Sequence, residues 1–219
     1  MSAQKKVEKM GKDDLIAAYM SFALDAERFP TSVYKFCKEL KIEEADFYAH
    51  FGSTEGLQKE IWVSFFEKTH ALLEKDPAFE QYGNREKMLS FFFTFFELLG
   101  LNRSYVLFAL GQNAQSLQRM DQLKGLRRRV KSFSRDLIED ANAERPNRIT
   151  KRNPEIFSEG AWLQLVFLLR FWHQDDSPSF EKTDMAIEKS VNTIFDIFDN
   201  TPLERVLDFG KFLYKEHLG

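Results

Sequence analysis

The chain has 219 residues, a formal net charge of −3 and 15% aromatic residues, 23 of them Phe. This length supplies enough apolar material for one large core or two smaller ones, and the slightly negative charge provides no overall attraction to nucleic acid. The single cysteine, Cys37, excludes an intramolecular disulfide and a multi-thiolate metal site. Binding to DNA would therefore need local positive charge.

Apolar residues recur at helical spacing along most of the chain, and no alternating run of β-branched residues indicates a strand. The sequence therefore predicts an all-α fold. Asp13 and Asp14 mark the start of the first helix, and Thr31 or Ser32 is expected to cap the second. The third helix follows Lys41, and Ser53 is expected to cap the fourth. Later helices are predicted over 85–99, 103–112, 114–143, 154–174, 179–199 and 202–217, with the longest loop at 144–153.

The segment 76–84, with Pro77 and Gly83, interrupts the helical pattern, and the helices that follow are longer and richer in Phe. We place the functional boundary earlier, within the fourth helix, which would bridge two parts. Residues 1–56 would form a three-helix head with a basic N-terminal arm. Residues 57–219 would form a larger helical bundle domain.

Membrane spanning and secretion are not expected from this sequence. The N-terminal stretch MSAQKKVEKMGK has no apolar signal-peptide core. The densest apolar stretch, residues 161–172, is shorter than the roughly 20 residues that cross a bilayer, and it contains Arg170. We therefore expect a cytoplasmic protein.

Residues 31–57 carry the most informative pattern, because they predict two short helices across a tight turn and then an aromatic-rich entry into a longer helix. The positions that carry the pattern are Thr31, Ser32, Val33, Phe36, Cys37, Ile42, Phe47, Tyr48, His50, Phe51, Ser53, Glu55 and Leu57. This pattern resembles the helix-turn-helix head of the TetR (TetR/AcrR) family of one-component transcriptional regulators.

The resemblance implies a homodimer with one DNA-reading head per subunit. It also implies a larger domain that binds a small molecule and dimerises through a four-helix bundle. By position, the residues expected to contact phosphates are Thr31, Tyr48 and His50. Those expected to face base edges are Glu44, Ala45, Asp46 and Ala49. The predicted DNA-binding set is completed by Ser32, Thr54 and the arm residues Lys5, Lys6 and Lys9.

Three positions depart from the family pattern. Lys41 stands where Gly is usual, Glu43 where a Ser or Thr usually caps the third helix, and Thr54 where a Lys usually reaches a phosphate. Glu44 and Asp46 add to an acidic recognition face, which the phosphate backbone repels. Residues 1–50 contain eight Lys or Arg and nine Asp or Glu. The basic arm, with lysines at 5, 6, 9 and 12 against one glutamate, partly offsets this balance.

The aromatic residues of the second part allow two interpretations. The run from Phe91 to Phe96 covers most of a helix surface, which favours burial in a core. Alternatively, a subset lines a cavity for a flat or chain-like hydrophobic ligand. The residues predicted for that cavity are Phe92, Phe95, Phe96, Tyr105, Phe108, Trp162, Phe167 and Phe171. The apolar stretch 161–172 also favours a helix that packs against a second subunit.

Three other features each allow a structural and a functional interpretation. The basic tract KGLRRRVK at 124–131 is either a solvated helix face or a site for an acidic partner, an anionic membrane or an anionic ligand group. His173, near Asp175 and Asp176, belongs to an acidic turn at a helix end or to a metal site. Cys37 is expected to be a small core residue rather than a reactive thiol.

No catalytic motif is present, so we expect no enzyme activity and no cofactor. The leading hypothesis is a ligand-responsive transcriptional regulator that binds operator DNA as a homodimer. The alternative is a protein of the same fold that has lost DNA binding and serves as a carrier or accessory protein for a hydrophobic ligand of the lipid or quinone type. The acidic recognition face motivates this alternative.

Overall fold

The computed structural model describes residues 10–111, 121–143 and 153–200. Within these ranges the chain forms α-helices and short 3-10 turns and contains no strand, which confirms the all-α prediction. The helices are α1 (Lys12–Asp25), α2 (Val33–Leu40), α3 (Glu44–Tyr48), α4 (Thr54–Leu73), α5 (Asn84–Leu101), α6 (Arg103–Leu110), α7 (Lys124–Ala143), α8 (Pro154–Gln174) and α9 (Glu181–Asn200). The first three form the predicted three-helix head.

The sequence predicted α8 correctly at both ends. The Asn153 side chain accepts hydrogen bonds from the backbone N–H groups of Glu155 and Ile156, at 3.0 and 3.3 Å, and Pro154 occupies the first helical position. Proline is favoured there because its missing N–H would lack a partner inside the helix in any case. The cap and the proline together fix where this helix begins.

Two predicted helices begin later in the described structure. Residues 121–123 form a 3-10 turn, so α7 begins at Lys124, and the predicted start at 114 lies outside the described residues. Ser179 has a left-handed backbone (φ 52°) within a second 3-10 turn, so α9 begins at Glu181 rather than at 179. The predicted loop at 144–153, except its last residue, and the predicted helix at 202–217 lie outside the described residues.

The chain divides into two compact units, which are described separately. Unit 1 comprises residues 1–72 and 94–129, and unit 2 comprises residues 73–93 and 130–219. These units are defined by packing, whereas the division proposed between residues 56 and 57 concerns function. That functional division stays a prediction.

In unit 1, α1 packs against α6 and α2 packs against α3. Two side chains of α4 extend the packing. The Trp62 indole N–H donates to Gln122 Oε1 at 3.1 Å, and the Gln122 amide donates to the Ala109 carbonyl at 2.9 Å. A Cβ on Gly125 would lie 2.6 Å from the Val63 side chain, so α7 needs glycine where it passes α4.

In unit 2, α8 and α9 form an antiparallel hairpin with an apolar contact face. The Gln164 amide donates to Ser190 Oγ at 2.9 Å between the two helices. On α5, Arg85 reaches Asp196 at 2.6 Å and lies over the ring of Phe195. The buried apolar side chains of this unit include Phe79, Met88, Phe91, Phe92, Val130, Ile138, Phe157, Trp162, Leu165, Leu169, Trp172, Ile187, Val191 and Phe195.

The basic tract on α7 forms ion pairs within each unit. In unit 1, Lys124 pairs with Asp121 at 2.7 Å and Arg129 with Glu67 at 3.0 Å. In unit 2, Lys131 pairs with Glu159 at 2.5 Å, and Arg135, four residues beyond the tract, pairs at the same distance with Glu155 of α8. These ion pairs favour the interpretation of the tract as a solvated helix face. Across the described residues, no helix is long and apolar enough to cross a bilayer.

Asp175 organises the connection between α8 and α9. Its carboxylate is buried and accepts hydrogen bonds from the backbone N–H and hydroxyl groups of Ser177 and Thr183, at 2.6 to 2.9 Å. Burial alone would raise the pKa of Asp175, but these bonds outweigh it and lower the pKa from 3.8 to about 2. The geometry favours the acidic-turn interpretation of this segment over a metal site.

We expect Asp175→Asn to lower the free energy of unfolding by roughly 2–3 kcal/mol at neutral pH, since one pKa unit corresponds to about 1.4 kcal/mol and the pKa of Asp175 is lowered by nearly two units. Because the folded pKa is depressed, the charged form stabilises the fold above about pH 4, and this contribution is lost as the pH falls toward 2. Denaturant titrations across this range measure the difference. Asp176→Asn is the control, because Asp176 is exposed and forms a surface ion pair with Lys182. Equal effects of the two variants would contradict the role of Asp175.

Candidate functional site

The turn between α2 and α3 has the backbone of a helix-turn-helix. Ser32 caps α2 by accepting from the Lys35 N–H at 3.2 Å, and Lys41 has a left-handed backbone with φ 58° and ψ 39°. The N–H groups of Lys41 and Ile42 then bond to the carbonyls of Lys38 and Cys37 at the end of α2. Glycine usually occupies this left-handed position, so Lys41 adopts it at some conformational cost.

The head has an aromatic core. The Phe36 ring contacts the rings of Tyr19 and Phe47, with centroids 5.5 and 6.2 Å apart, and Phe47 contacts Phe51 at 5.7 Å. Cys37 is buried beside them, and burial, followed by the nearby Glu44 and Asp46, raises the pKa of its thiol. A buried thiol with a raised pKa is unreactive, as expected for a core residue.

The predicted DNA-contacting residues of α3 and of the two positions after it are exposed or partly exposed. The exposed ones are Ala45, Tyr48, Ala49 and His50, and those of intermediate exposure are Glu44 and Asp46. Thr31, which precedes α2, is exposed, and the Ser32 hydroxyl is engaged in capping α2. Helix α3 therefore presents a small, mixed surface on which Glu43 is exposed as well.

Two residues that the sequence placed near DNA are less available for phosphate contacts in the structure. Thr54 is only 9% exposed at the start of α4, where Ser53 provides the cap by accepting from the Gly56 N–H at 3.0 Å. The Thr54 hydroxyl is therefore not retained among the proposed DNA contacts. Lys12 forms an ion pair with Glu60, which neutralises part of its charge. Lys5, Lys6 and Lys9 lie outside the described residues.

The aromatic residues predicted to bind ligand are divided between the units. In unit 1, Phe95, Phe96 and Tyr105 are buried, and Phe108 contacts Phe29 with centroids 4.9 Å apart. In unit 2, Phe92 and Trp162 are buried. Phe167 is 49% exposed and contacts Phe171. Within each unit these rings pack against their neighbours, and their role in ligand binding stays a prediction.

Unit 1 contains a pocket of about 560 Å³ that sequence reasoning missed. Residues of α1, α4, the end of α5 and the start of α6 line it, and of the predicted ligand-binding residues only Tyr105 is among them. The lining combines apolar side chains with charged ones, including Lys68 and Arg103. No local sequence signal marks this pocket, because four separate helices contribute to it.

Two buried tyrosines near this pocket differ in the hydrogen bonding of their hydroxyl groups. The Tyr19 hydroxyl accepts a hydrogen bond from the Gln58 amide at 2.7 Å, whereas the Tyr105 hydroxyl is buried without a partner among the described residues. Burial raises the pKa of Tyr19 to about 12, and burial together with the nearby Tyr19 raises the pKa of Tyr105. Both side chains are therefore neutral at physiological pH.

The comparisons with known proteins identify the family. A family model described as the tetracyclin repressor-like C-terminal domain matches residues 87–213, which is more than half of the chain. The chain belongs to the TetR family. The match lies beyond the helix-turn-helix head of this TetR-family chain, so the head is assigned from the geometry of its turn and core.

A solved structure similar to this TetR-family chain is the ketosteroid transcriptional regulator KstR2 of Mycobacterium tuberculosis. The two chains are 13% identical with a TM-score of 0.46, and the match covers 86% of this chain and 98% of that chain. No curated protein matches the sequence. Regulators of the TetR family generally are not enzymes. In the part of the chain that the structure describes, no group of His, Cys, Asp and Glu could hold a metal ion.

We expect Tyr105→Phe to leave the free energy of unfolding of this TetR-family protein unchanged or to raise it slightly, because it removes a buried hydroxyl that has no partner. Tyr19→Phe is the matched control and should lower it by about 1 kcal/mol, since it leaves the Gln58 amide without its acceptor. Chemical denaturation of both variants measures the difference. A larger loss for Tyr105→Phe than for Tyr19→Phe would contradict this assignment.

Proposed function

We propose that the chain is a ligand-responsive transcriptional regulator that binds operator DNA as a homodimer. The observation that carries the proposal is the left-handed turn at Lys41 between α2 and α3, together with the exposed side of α3. In a helix-turn-helix, such a turn allows the second helix to enter the major groove while the first crosses the backbone. Family membership supports the same function.

The proposed contacts keep Thr31, Tyr48 and His50 for phosphates and Ala45 and Ala49 for base edges, where small side chains allow close approach. Glu44 and Asp46 would accept hydrogen bonds from cytosine amino groups. Each carboxylate also lowers the electrostatic part of the affinity, since phosphate contacts supply much of protein–DNA binding. We therefore propose a reader that depends on its N-terminal lysines and on direct base contacts.

The test is fluorescence anisotropy with a duplex taken from upstream of the protein's own gene, at low salt. We expect binding that is tighter than to an unrelated duplex of equal length and that weakens as salt rises. Glu43→Gln should strengthen binding several-fold at low salt, because it removes an exposed charge that phosphates repel and that has no part in the proposed base contacts. Glu97→Gln is the matched control, since Glu97 is exposed on α5, outside the head, and should change binding much less.

A second function is favoured by the same acidic surface together with the burial of Thr54 and the pairing of Lys12 with Glu60. In this alternative the protein keeps the fold, has lost DNA binding and carries a hydrophobic ligand. Equal binding to the upstream and unrelated duplexes would contradict the regulator. A hydrophobic compound found with the purified protein by native mass spectrometry would then favour the carrier.

We also propose that α8 and α9 form the dimer interface as half of a four-helix bundle. Leu163 and Phe167 are 51% and 49% exposed and lie four residues apart, so they share one face of α8. On α9, Met185 and Ile197 are also exposed. Exposed apolar side chains on both helices of a hairpin form a surface that a second subunit can cover.

We expect Leu163→Glu combined with Phe167→Glu to convert the dimer into a monomer, because two carboxylates in an apolar interface would be desolvated without partners. Sedimentation velocity measures the oligomeric state. Leu72→Glu is the control, since Leu72 is also exposed but lies on α4 in unit 1. A double variant that remains dimeric would place the interface elsewhere.

A further inference from the structure

The charges of the head are divided unevenly between α2 and α3. Residues 33–41, which comprise α2 and the turn residue after it, contain three lysines and one glutamate. Residues 43–48, which comprise the cap and the body of α3, contain three carboxylates and no cation. The first segment therefore has a formal charge of +2 and the second of −3. The charge that attracts a polyanion lies on the helix before the acidic recognition helix.

The three lysines, Lys35, Lys38 and Lys41, are all exposed. Lys35 and Lys38 are three residues apart, so they lie on the same side of α2. The opposite side of the helix is buried, because Phe36 and Cys37 belong to the core of the head. Lys41 extends the basic surface into the turn. These three lysines are called the α2 strip.

The charge of the α2 strip is not neutralised by the protein. None of its three ammonium groups forms an ion pair with a described residue, whereas Lys12 in the same unit pairs with Glu60. Lys38 lies 6.0 Å from the centre of the exposed Tyr34 ring, a contact that leaves its charge uncompensated. Glu39 is the one carboxylate on α2. The strip is therefore available to an anionic partner.

Helix stability does not account for the whole strip. Lys38 lies in the last turn of α2, where a cation is favourable beside the negative end of the helix dipole. Lys35 is the third residue of α2, in the first turn, where a cation is unfavourable. The position of Lys35 thus opposes the local electrostatics of the helix, and a bound anion would reverse this effect.

We propose that the α2 strip binds the phosphate backbone of DNA while α3 lies in the major groove. This inference rests on the proposed function and adds the residues that supply its charge-based contacts. In a helix-turn-helix the first helix crosses the backbone, which is where the strip lies. The three carboxylates of α3 offset part of the attraction, so binding to unrelated DNA stays weak.

The test is fluorescence anisotropy with the upstream and the unrelated duplex at salt concentrations from about 50 to 200 mM. The logarithm of the association constant falls linearly with the logarithm of the salt concentration, with a slope of about −0.9 for each neutralised phosphate. A homodimer loses two contacts when one lysine is changed. We therefore expect Lys35→Gln and Lys38→Gln each to make the slope shallower by about two and to weaken binding roughly tenfold or more at the lowest salt. Both duplexes should be affected equally, because phosphates carry no sequence information.

Lys75→Gln is the matched control, since Lys75 is exposed in the turn after α4, outside the head, and also forms no ion pair with a described residue. It should leave the slope unchanged. Lys38→Arg keeps the charge and should retain the original slope. Lys41→Asn removes the charge, and asparagine tolerates a left-handed backbone, so it should act like the two glutamine variants. Thermal melting followed by circular dichroism detects a structural role: a less stable variant with the original slope would overturn the role of that lysine.

The same measurements separate the strip from the proposed function. Slopes in Lys35→Gln and Lys38→Gln equal to that in Lys75→Gln, with specific binding retained, would overturn the strip and support the regulator. Shallower slopes with equal binding to both duplexes would support the strip and count against the regulator. Losses confined to the upstream duplex would overturn the strip, because such residues would read bases. No binding to either duplex at low salt would overturn both.

Discussion

Unit 1 depends on the packing of Tyr19, which joins the core of the head to the helices behind it. Its ring contacts Phe36 in the head and stacks on Phe29 with centroids 6.2 Å apart, and Phe29 in turn contacts Phe108 of α6. Its hydroxyl accepts from Gln58 of α4. Because aromatic rings are large and adopt preferred relative orientations, a shift of α6 cannot be absorbed locally and must displace neighbouring rings.

The head has the backbone geometry of a DNA reader, but its surface charge is unfavourable for DNA. The αL backbone at Lys41 and the rings of Phe36 and Phe47 give the turn and the core that a DNA reader requires. The carboxylates of Glu44 and Asp46 then place negative charge on the same surface. A protein with this combination gains little from general phosphate attraction, so any DNA binding must depend more on shape and base contacts. Such a reader would bind non-specific DNA weakly.

The sequence predicted those features that local chemistry determines. Asn153 and Pro154 fixed the start of α8, and Ser53 capped α4 as expected. Features that depend on tertiary contacts were not predictable. The 3-10 turn before α7 is accompanied by the contact between Gln122 and Trp62, sixty residues earlier in the chain. The burial of Thr54 and the pocket between four helices arise in the same way, from residues far apart in the sequence.

The pocket and the Tyr19 contacts meet at α1 and α6, which suggests how binding in unit 1 would influence the head. Tyr105 lines the pocket, and three residues later on α6 Phe108 contacts Phe29. Residues three apart lie near one another on a helix, so a ligand that moves the first turn of α6 also moves Phe108. Phe29 contacts Tyr19, and Tyr19 contacts Phe36, so such a displacement would reach the head through these rings. A ligand shifts this equilibrium only by its difference in affinity between the two arrangements, so even a tight ligand would regulate weakly if α6 did not move.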